Sequence, residues 1–135
     1  MVATVPESAE PRAVRFAKRI LLSVILLMAL PVTAELAPAT EREIAHLLDF
    51  VKTSTCQIER NGKIYPSAKG VSHIRKKYDY FENKISTAEE FIEYSATRST
   101  MSGKDYRVHC EGMAVQRSQD WLLQELARFR QQASG

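Results

Sequence analysis

The sequence predicts a small α+β domain: a short antiparallel sheet, made of a hairpin and a third strand, with about four helices packed on it in the order α-β-β-α-α-β-α. Three observations carry this expectation. The stretch "CQIERNGKIYP", Cys56 to Pro66, alternates apolar and polar residues on either side of Asn61-Gly62, the strongest short-range hairpin signal. A second alternating run, "YRVHC" from Tyr106 to Cys110, supplies a further strand. Between and around them apolar residues recur at helical spacing, and helices gathered on one face of a small sheet define the class.

The first helix is expected from Glu41 to Lys52, because Ile44, Leu47, Leu48 and Val51 form a stripe and Thr40-Glu41-Arg42-Glu43 fits a capping box just after Pro38. His46 falls opposite that stripe and is read as a solvated surface residue. In the hairpin a two-residue type I′ turn fixes the register: Arg60 faces Lys63, Glu59 faces Ile64, and Ile58 faces Tyr65. One face then carries Cys56, Ile58 and Tyr65, with Arg60 and Lys63 near the tip, and the other carries Gln57, Glu59 and Ile64. Pro66 has no N–H to donate and ends the second strand.

After Ser67, Val71, Ile74, Tyr78 and Phe81 mark a second helix to about Glu82, with Lys69, His73, Lys76 and Tyr80 on its opposite side. The pattern Ser86-Thr87-Ala88-Glu89 predicts a capping box for a third helix, whose inner face is Ala88, Phe91, Ile92, Ser95 and Ala96 and whose end is near Arg98. "STMSGKD", Ser99 to Asp105, reads as a loop. In the third strand Tyr106, Val108 and Cys110 point to the core, and Arg107 and His109 away from it. Gly112 to Ser118 is expected to be irregular, and a last helix from Gln119 to Gln132 has Leu122, Leu126 and Phe129 as its stripe, widened by Trp121 and Leu123.

The first 34 of the 135 residues read as a secretory signal peptide. Arg12, Arg15, Lys18 and Arg19 precede the uncharged "ILLSVILLMAL", Ile20 to Leu30, and "PVTA" suggests a cut after Ala34. A membrane span needs about 20 apolar residues, so a cleavable leader is favoured over a retained anchor. No Cys follows the cut to take a lipid, and no Arg-Arg pair precedes the apolar run. The expected product is a single monomeric domain, residues 35–135, exported to the periplasm or beyond and without a stable membrane anchor.

Most of the overall +3 charge lies in that leader, where four cations stand against Glu7 and Glu10. The remaining domain is nearly neutral and has no broad electrostatic reason to seek nucleic acid or an anionic membrane. In an oxidising compartment Cys56 and Cys110 are expected to pair. Closing a loop of roughly fifty residues stabilises a fold by roughly 4 kcal/mol on the chain-entropy model.

A bonded Cys110 is no nucleophile, and His46, His73 and His109 lie in no His-x-x-x-His or Cys-x-x-Cys pattern, so neither a metal nor another cofactor is expected. Ser99 and Ser102 lack a Gly-x-Ser-x-Gly or Ser-x-x-Lys context. Glu89, Glu90 and Glu93 suit a helix start and a solvated face. No catalytic residue is assigned. The most suggestive cluster joins Arg60, Asn61 and Tyr65 to His73 and Lys77, which are one helical turn apart; such donors around a cleft suit a carboxylate, phosphate or glycan-like ligand. The plainer reading makes Arg60 and Lys63 solvated turn charges, His73 a flank residue, and Tyr65 and Tyr78 core.

The signal peptide followed by "CQIERNGKIYPSAKGVSHIRKKY", "STAEEFIEYSATRSTMSGKDYRVHC" and "WLLQELARFR" resembles the YfeK-like family of small exported bacterial proteins, a domain of unknown function, from Glu43 to Arg130. The resemblance rests on Cys56 with Arg60-Asn61-Gly62 and Tyr65, on His73 and Lys77, on Thr87-Ala88-Glu89 with Phe91-Ile92, and on Ser102-Gly103 with Tyr106. It implies a bacterial periplasmic setting and carries over no activity, but singles out Arg60, Asn61, Tyr65, His73, Lys77, Ser102 and Tyr106 as candidate ligand-binding positions. The leading expectation is a non-catalytic binding or accessory module of the cell envelope whose partner is an envelope protein or a small polar ligand. One alternative is a small envelope hydrolase using His73 with Ser99, Ser102 or Lys77; another is a structural or inhibitory protein that adds a partner strand at the hairpin edge.

Overall fold

In the chain order of the computed structural model, helix α1 (Pro38–Thr53) is followed by strands β1 (Gln57–Arg60) and β2 (Lys63–Pro66), then helix α2 (Ser67–Phe81). A single 3-10 turn (Glu82–Lys84) leads to α3 (Ala88–Ala96), and β3 (Arg107–His109), β4 (Gln116–Arg117) and α4 (Ser118–Ala133) complete the fold. The structure describes residues 3–4, 29 and 34–135; the basic and apolar stretches of the expected leader lie outside the described residues. Glu35–Gly135 is one compact unit. Among the described residues no helix is long and apolar enough to cross a membrane.

The architecture is the expected α+β class, with β4 as an addition. All pairings are antiparallel and the strands lie in the order β2-β1-β3-β4. Asn61 and Gly62 have φ of 49° and 78°, the two left-handed positions that a type I′ turn requires, and the resulting register pairs Ile58 with Tyr65, Glu59 with Ile64 and Arg60 with Lys63. On its other side β1 pairs Ile58 with Val108. Both residues are buried in a core that also holds Leu47, Val51, Phe91, Ile92, Leu122 and Leu126.

Cys56 and Cys110 are bonded, with Cα atoms 4.3 Å apart, just outside the Gln57–His109 pair that joins β1 to β3. Across the sheet α2 approaches β1 so closely that a Cβ on Gly70 would lie 2.5 Å from Ile58 Cγ1. A glycine there lets the helix backbone rest directly on the strand.

Several local expectations are corrected. The Thr40–Glu43 capping box does not form: α1 begins at Pro38, its N-cap Ala37 makes no side-chain bond, and proline at the first helical positions needs no N–H partner. Glu43 instead accepts two bonds from Arg130, at 2.8 and 3.0 Å. The capping box of α3 is shifted by one residue, pairing Thr87 with Glu90, which leaves Glu89 free to bind the same Arg130. That guanidinium thereby ties α1, α3 and α4 together, and its hydrogen bonds hold the Glu89 carboxyl below its ordinary range.

Helix α3 stops at Ala96, short of Arg98, because Thr97 Oγ1 donates to the Ile92 carbonyl at 2.8 Å and the Thr97 carbonyl accepts the Tyr106 N–H at 2.9 Å. Nor is His46 simply solvated: Nε2 lies 2.7 Å from Glu125 and the ring stacks on Phe129 at 4.1 Å. Glu125, held also by Arg128, is only 5% exposed, whereas Leu123 is 37% exposed and faces outward. A charge-paired carboxylate has taken an inner position of α4 beside the expected Trp121, Leu122 and Leu126, which are buried.

Gly70→Ala tests the close approach of α2 to β1. Helix propensity alone would stabilise the variant by about 1 kcal/mol. The clash with buried Ile58 is instead expected to destabilise it by about 1–3 kcal/mol, read as a lower urea midpoint; an unchanged or higher midpoint would show that α2 does not rest on β1 at this point.

Candidate functional site

The tight hairpin turn carries Asn61 out toward the loop between α3 and β3. There Ser102 Oγ donates to Asn61 Oδ1 at 2.6 Å, and Asn61 Nδ2 donates to Ser99 Oγ at 3.4 Å. The loop is folded to meet it: Ser99 N–H donates to the Lys104 carbonyl, Gly103 N–H to the Ser99 carbonyl, and Ser102 N–H to Ser99 Oγ. Gly103 has φ of 72°, a conformation glycine adopts without strain. Asn61 and Ser102 therefore latch the hairpin tip to the loop, and both serine hydroxyls are engaged in that latch.

Tyr106 sits at the entry to β3 and is only 4% exposed. Its hydroxyl lies 3.1 Å from His73 Nε2 and accepts from Lys77 Nζ at 3.4 Å. Lys77 Nζ also donates to the Arg98 carbonyl at 2.6 Å and lies 5.1 Å from the centre of the Tyr106 ring. An ammonium only donates, so the tyrosine oxygen accepts from Lys77. Among the described hydrogen bonds the one acceptor within reach of the phenol proton is His73 Nε2, the pairing expected of a neutral imidazole protonated on Nδ1.

Burial favours the neutral form of each member of this trio, and neighbouring charge reinforces it for His73 and Lys77 but opposes it for Tyr106. Burial, then the charges of Arg60, Lys77 and Lys76, lower the His73 pKa to about 4, so the ring is neutral at pH 7. Burial, with Arg60 and Arg98, pulls Lys77 below its usual range. Burial raises the Tyr106 phenol, with Arg60 opposing.

Beside these contacts a groove of about 330 Å³ runs between the hairpin and α2, lined by Arg60, Tyr65, Lys69, Ser72, His73 and Lys76. The Arg60 guanidinium lies over the Tyr65 ring, 4.9 Å from its centre. Among the described residues no carboxylate lines this groove, and no ion pair engages Arg60, Lys69 or Lys76. A second depression of about 270 Å³, on the other side of the tip, is lined by Glu59, Asn61, Gly62, Lys104, Asp105 and Arg107, with mixed charge.

The seven candidate positions thus fall into separate places. Arg60, Tyr65 and His73 line the groove, Lys77 and Tyr106 form the polar contact behind it, and Asn61 and Ser102 make the latch. Lys69, Ser72 and Lys76 belong to the groove but were not singled out from sequence, although Lys69, His73 and Lys76 recur at helical spacing on one face of α2. Among the described hydrogen bonds His73 meets Tyr106, not Ser99 or Ser102, so the base-to-hydroxyl contact of a serine hydrolase is not formed. Strand β2 is an outer strand of the sheet, but only four residues long and closed by Pro66, which limits strand addition.

Residues 38–130 match the Family of unknown function (DUF5329). Over 91 residues the chain is 34% identical to the "Uncharacterized protein YfeK" of Salmonella typhimurium strain LT2, covering 66% of this chain and 76% of that protein. No solved structure matches it. The chain belongs to this family and carries a YfeK-like domain of unknown function.

Proposed function

We propose that the chain is an exported, non-catalytic binding module of the bacterial cell envelope, and that it takes an anionic ligand in the groove between the hairpin and α2. One observation carries the reading: Arg60, Lys69 and Lys76 line a single concavity with no carboxylate among its lining residues. Elsewhere on the described surface arginines such as Arg98, Arg117 and Arg130 are paired with carboxylates, so these three cations form a concentrated and unneutralised donor set. Guanidinium and ammonium groups bind carboxylate and phosphate oxygens through charge-assisted hydrogen bonds. Export is supported by the leader pattern of the first 34 residues and by the disulfide, a bond that persists in oxidising compartments.

The binding claim is tested by adding inorganic phosphate, then an acidic glycan, to the purified chain and following amide resonances. Perturbations are expected at Arg60, Lys69, His73 and Lys76, and a Lys69→Gln/Lys76→Gln double variant is expected to weaken the tighter of the two ligands by about tenfold or more, equivalent to about 1.4 kcal/mol. Perturbations confined to the opposite side of the hairpin tip would move the site to the second depression. For the non-catalytic part, turnover of ester, phosphoester or peptidoglycan substrates that His73→Ala abolishes would overturn the reading.

The pH response follows from His73. Its folded pKa of about 4 lies below the ordinary 6.5, so between those values the unfolded chain binds more protons than the folded one. The stabilising contribution is complete above pH 6.5 and is lost as the pH falls toward 4. A His73→Gln variant is expected to show a shallower loss of stability across that window in urea titrations. The His73 ring resonances of the free protein are expected to titrate near pH 4, and to titrate higher when the groove holds an anion; midpoints near 6.5 in both states would contradict the burial and charge argument.

A further inference from the structure

We infer that the groove takes a single phosphate dianion, free or as the terminal group of a small monoester, an assignment that rests on the binding reading above and names its ligand class. Lys69, Ser72, His73 and Lys76 stand at i, i+3, i+4 and i+7, so they share one face of α2 and line the groove from that side. The two lysines are about 10 Å apart along the helix axis. Both are exposed, and their flexible four-carbon stems allow the ammonium groups to lean from either end toward Ser72 and His73 between them. Arg60 reaches the same place from the hairpin wall. His73 registers the convergence: after burial, the charges of Arg60, Lys77 and Lys76 all act on its ring. Three groove-lining cations therefore surround one spot.

The hydrogen-bonding character of that spot is one-sided. Guanidinium and ammonium groups only donate, and a serine hydroxyl is free to donate. The His73 Nε2 is engaged by Tyr106, so the remaining nitrogen of the neutral ring carries the proton and is a further donor. The group that fits must supply acceptors on several sides and more than one negative charge. A phosphate monoester has three terminal oxygens and a charge of roughly −1.5 to −2 at pH 7. A carboxylate or a phosphodiester has two terminal oxygens and a single charge, and leaves part of the cation set unmatched.

The free protein also holds these charges without compensation. No carboxylate lines the groove, and Arg60 disfavours the charged form of both His73 and Lys77, which is the mark of like charges held close together. A dianion relieves that repulsion more fully than a monoanion. The groove volume of about 330 Å³ lies at the small end of the range for small-molecule sites, and so suits a phosphate with a modest substituent.

The test is calorimetric titration of the purified chain with inorganic phosphate and glycerol 3-phosphate, against dimethyl phosphate and acetate as monoanions. Either dianion is expected to bind about tenfold or more tightly than both monoanions. Tighter binding of glycerol 3-phosphate than of inorganic phosphate identifies a monoester as the source, and equal binding identifies free phosphate; both results support the assignment. Lys69→Gln and Lys76→Gln, each checked for fold by circular dichroism, are each expected to weaken the tighter dianion by about tenfold, because both lysines reach the same anion. A loss confined to one of the two variants overturns the convergence on a single anion. If dimethyl phosphate or acetate binds as tightly as the dianions, the phosphate assignment fails while the anion-binding reading stands. Failure of every probe to bind overturns both readings.

Discussion

The buried hydroxyl of Tyr106 is the constraint on which the arrangement around the hairpin depends. A polar group with so little exposure must be paired or it costs folding free energy, and its partners come from α2: His73 Nε2 and Lys77 Nζ. Satisfying one phenol therefore fixes how α2 is turned over the sheet. The backbone of the same residue donates to the Thr97 carbonyl at the exit of α3 and accepts from Ser118 N–H at the start of α4. One residue thus couples three helices to the entry of β3.

The charge distribution follows from that pairing. Lys77 is turned toward the Arg98 carbonyl and Tyr106, and His73 is kept neutral at pH 7 by burial and by the surrounding cations, so the charge left to the groove is that of Arg60, Lys69 and Lys76. The position of Arg60 is held from both ends of β1. Before it, Cys56 is bonded to Cys110; after it, Asn61 is hydrogen-bonded to Ser99 and Ser102. A strand anchored in this way loses little freedom when a ligand arrives, and reduced ordering cost is a direct source of affinity. The Arg130 contacts to Glu43 and Glu89 join α1, α3 and α4 without involving the hairpin.

Period and turn chemistry made much of this legible in the sequence. The Asn61-Gly62 turn, the register of β1 and β2, the inward side of β3 and the stripes of α1 and α2 are local patterns, and local patterns are what a sequence displays. The two capping boxes are local misses, one displaced by a single residue and one replaced by a proline start; the others depend on partners outside the local pattern. Strand β4 has two residues, too few for alternation to register, and exists because β3 is beside it. Glu125 is buried where Leu123 was expected because Arg128 pairs with its charge and His46 hydrogen-bonds to it. On α2 the neighbours Lys76 and Lys77 are separated by about 100° around the helix, and only the position of Tyr106 dictates that Lys77 turns inward while Lys76 lines the groove. Sequence spacing grouped His73 with Lys77, one turn apart. The structure keeps them together through Tyr106, and brings Lys69, Ser72 and Lys76 into the groove beside His73.

The tautomer of His73 tests this arrangement most directly, because it records which atom the buried phenol addresses. A long-range proton–nitrogen correlation spectrum at pH 7 is expected to show a neutral ring protonated at Nδ1, with an Nε2 resonance that shifts when Tyr106→Phe removes the hydroxyl but keeps the aromatic ring. A ring protonated at Nε2 or doubly protonated at pH 7, or an Nε2 resonance indifferent to Tyr106→Phe, would contradict the pairing from which the groove's charge pattern follows.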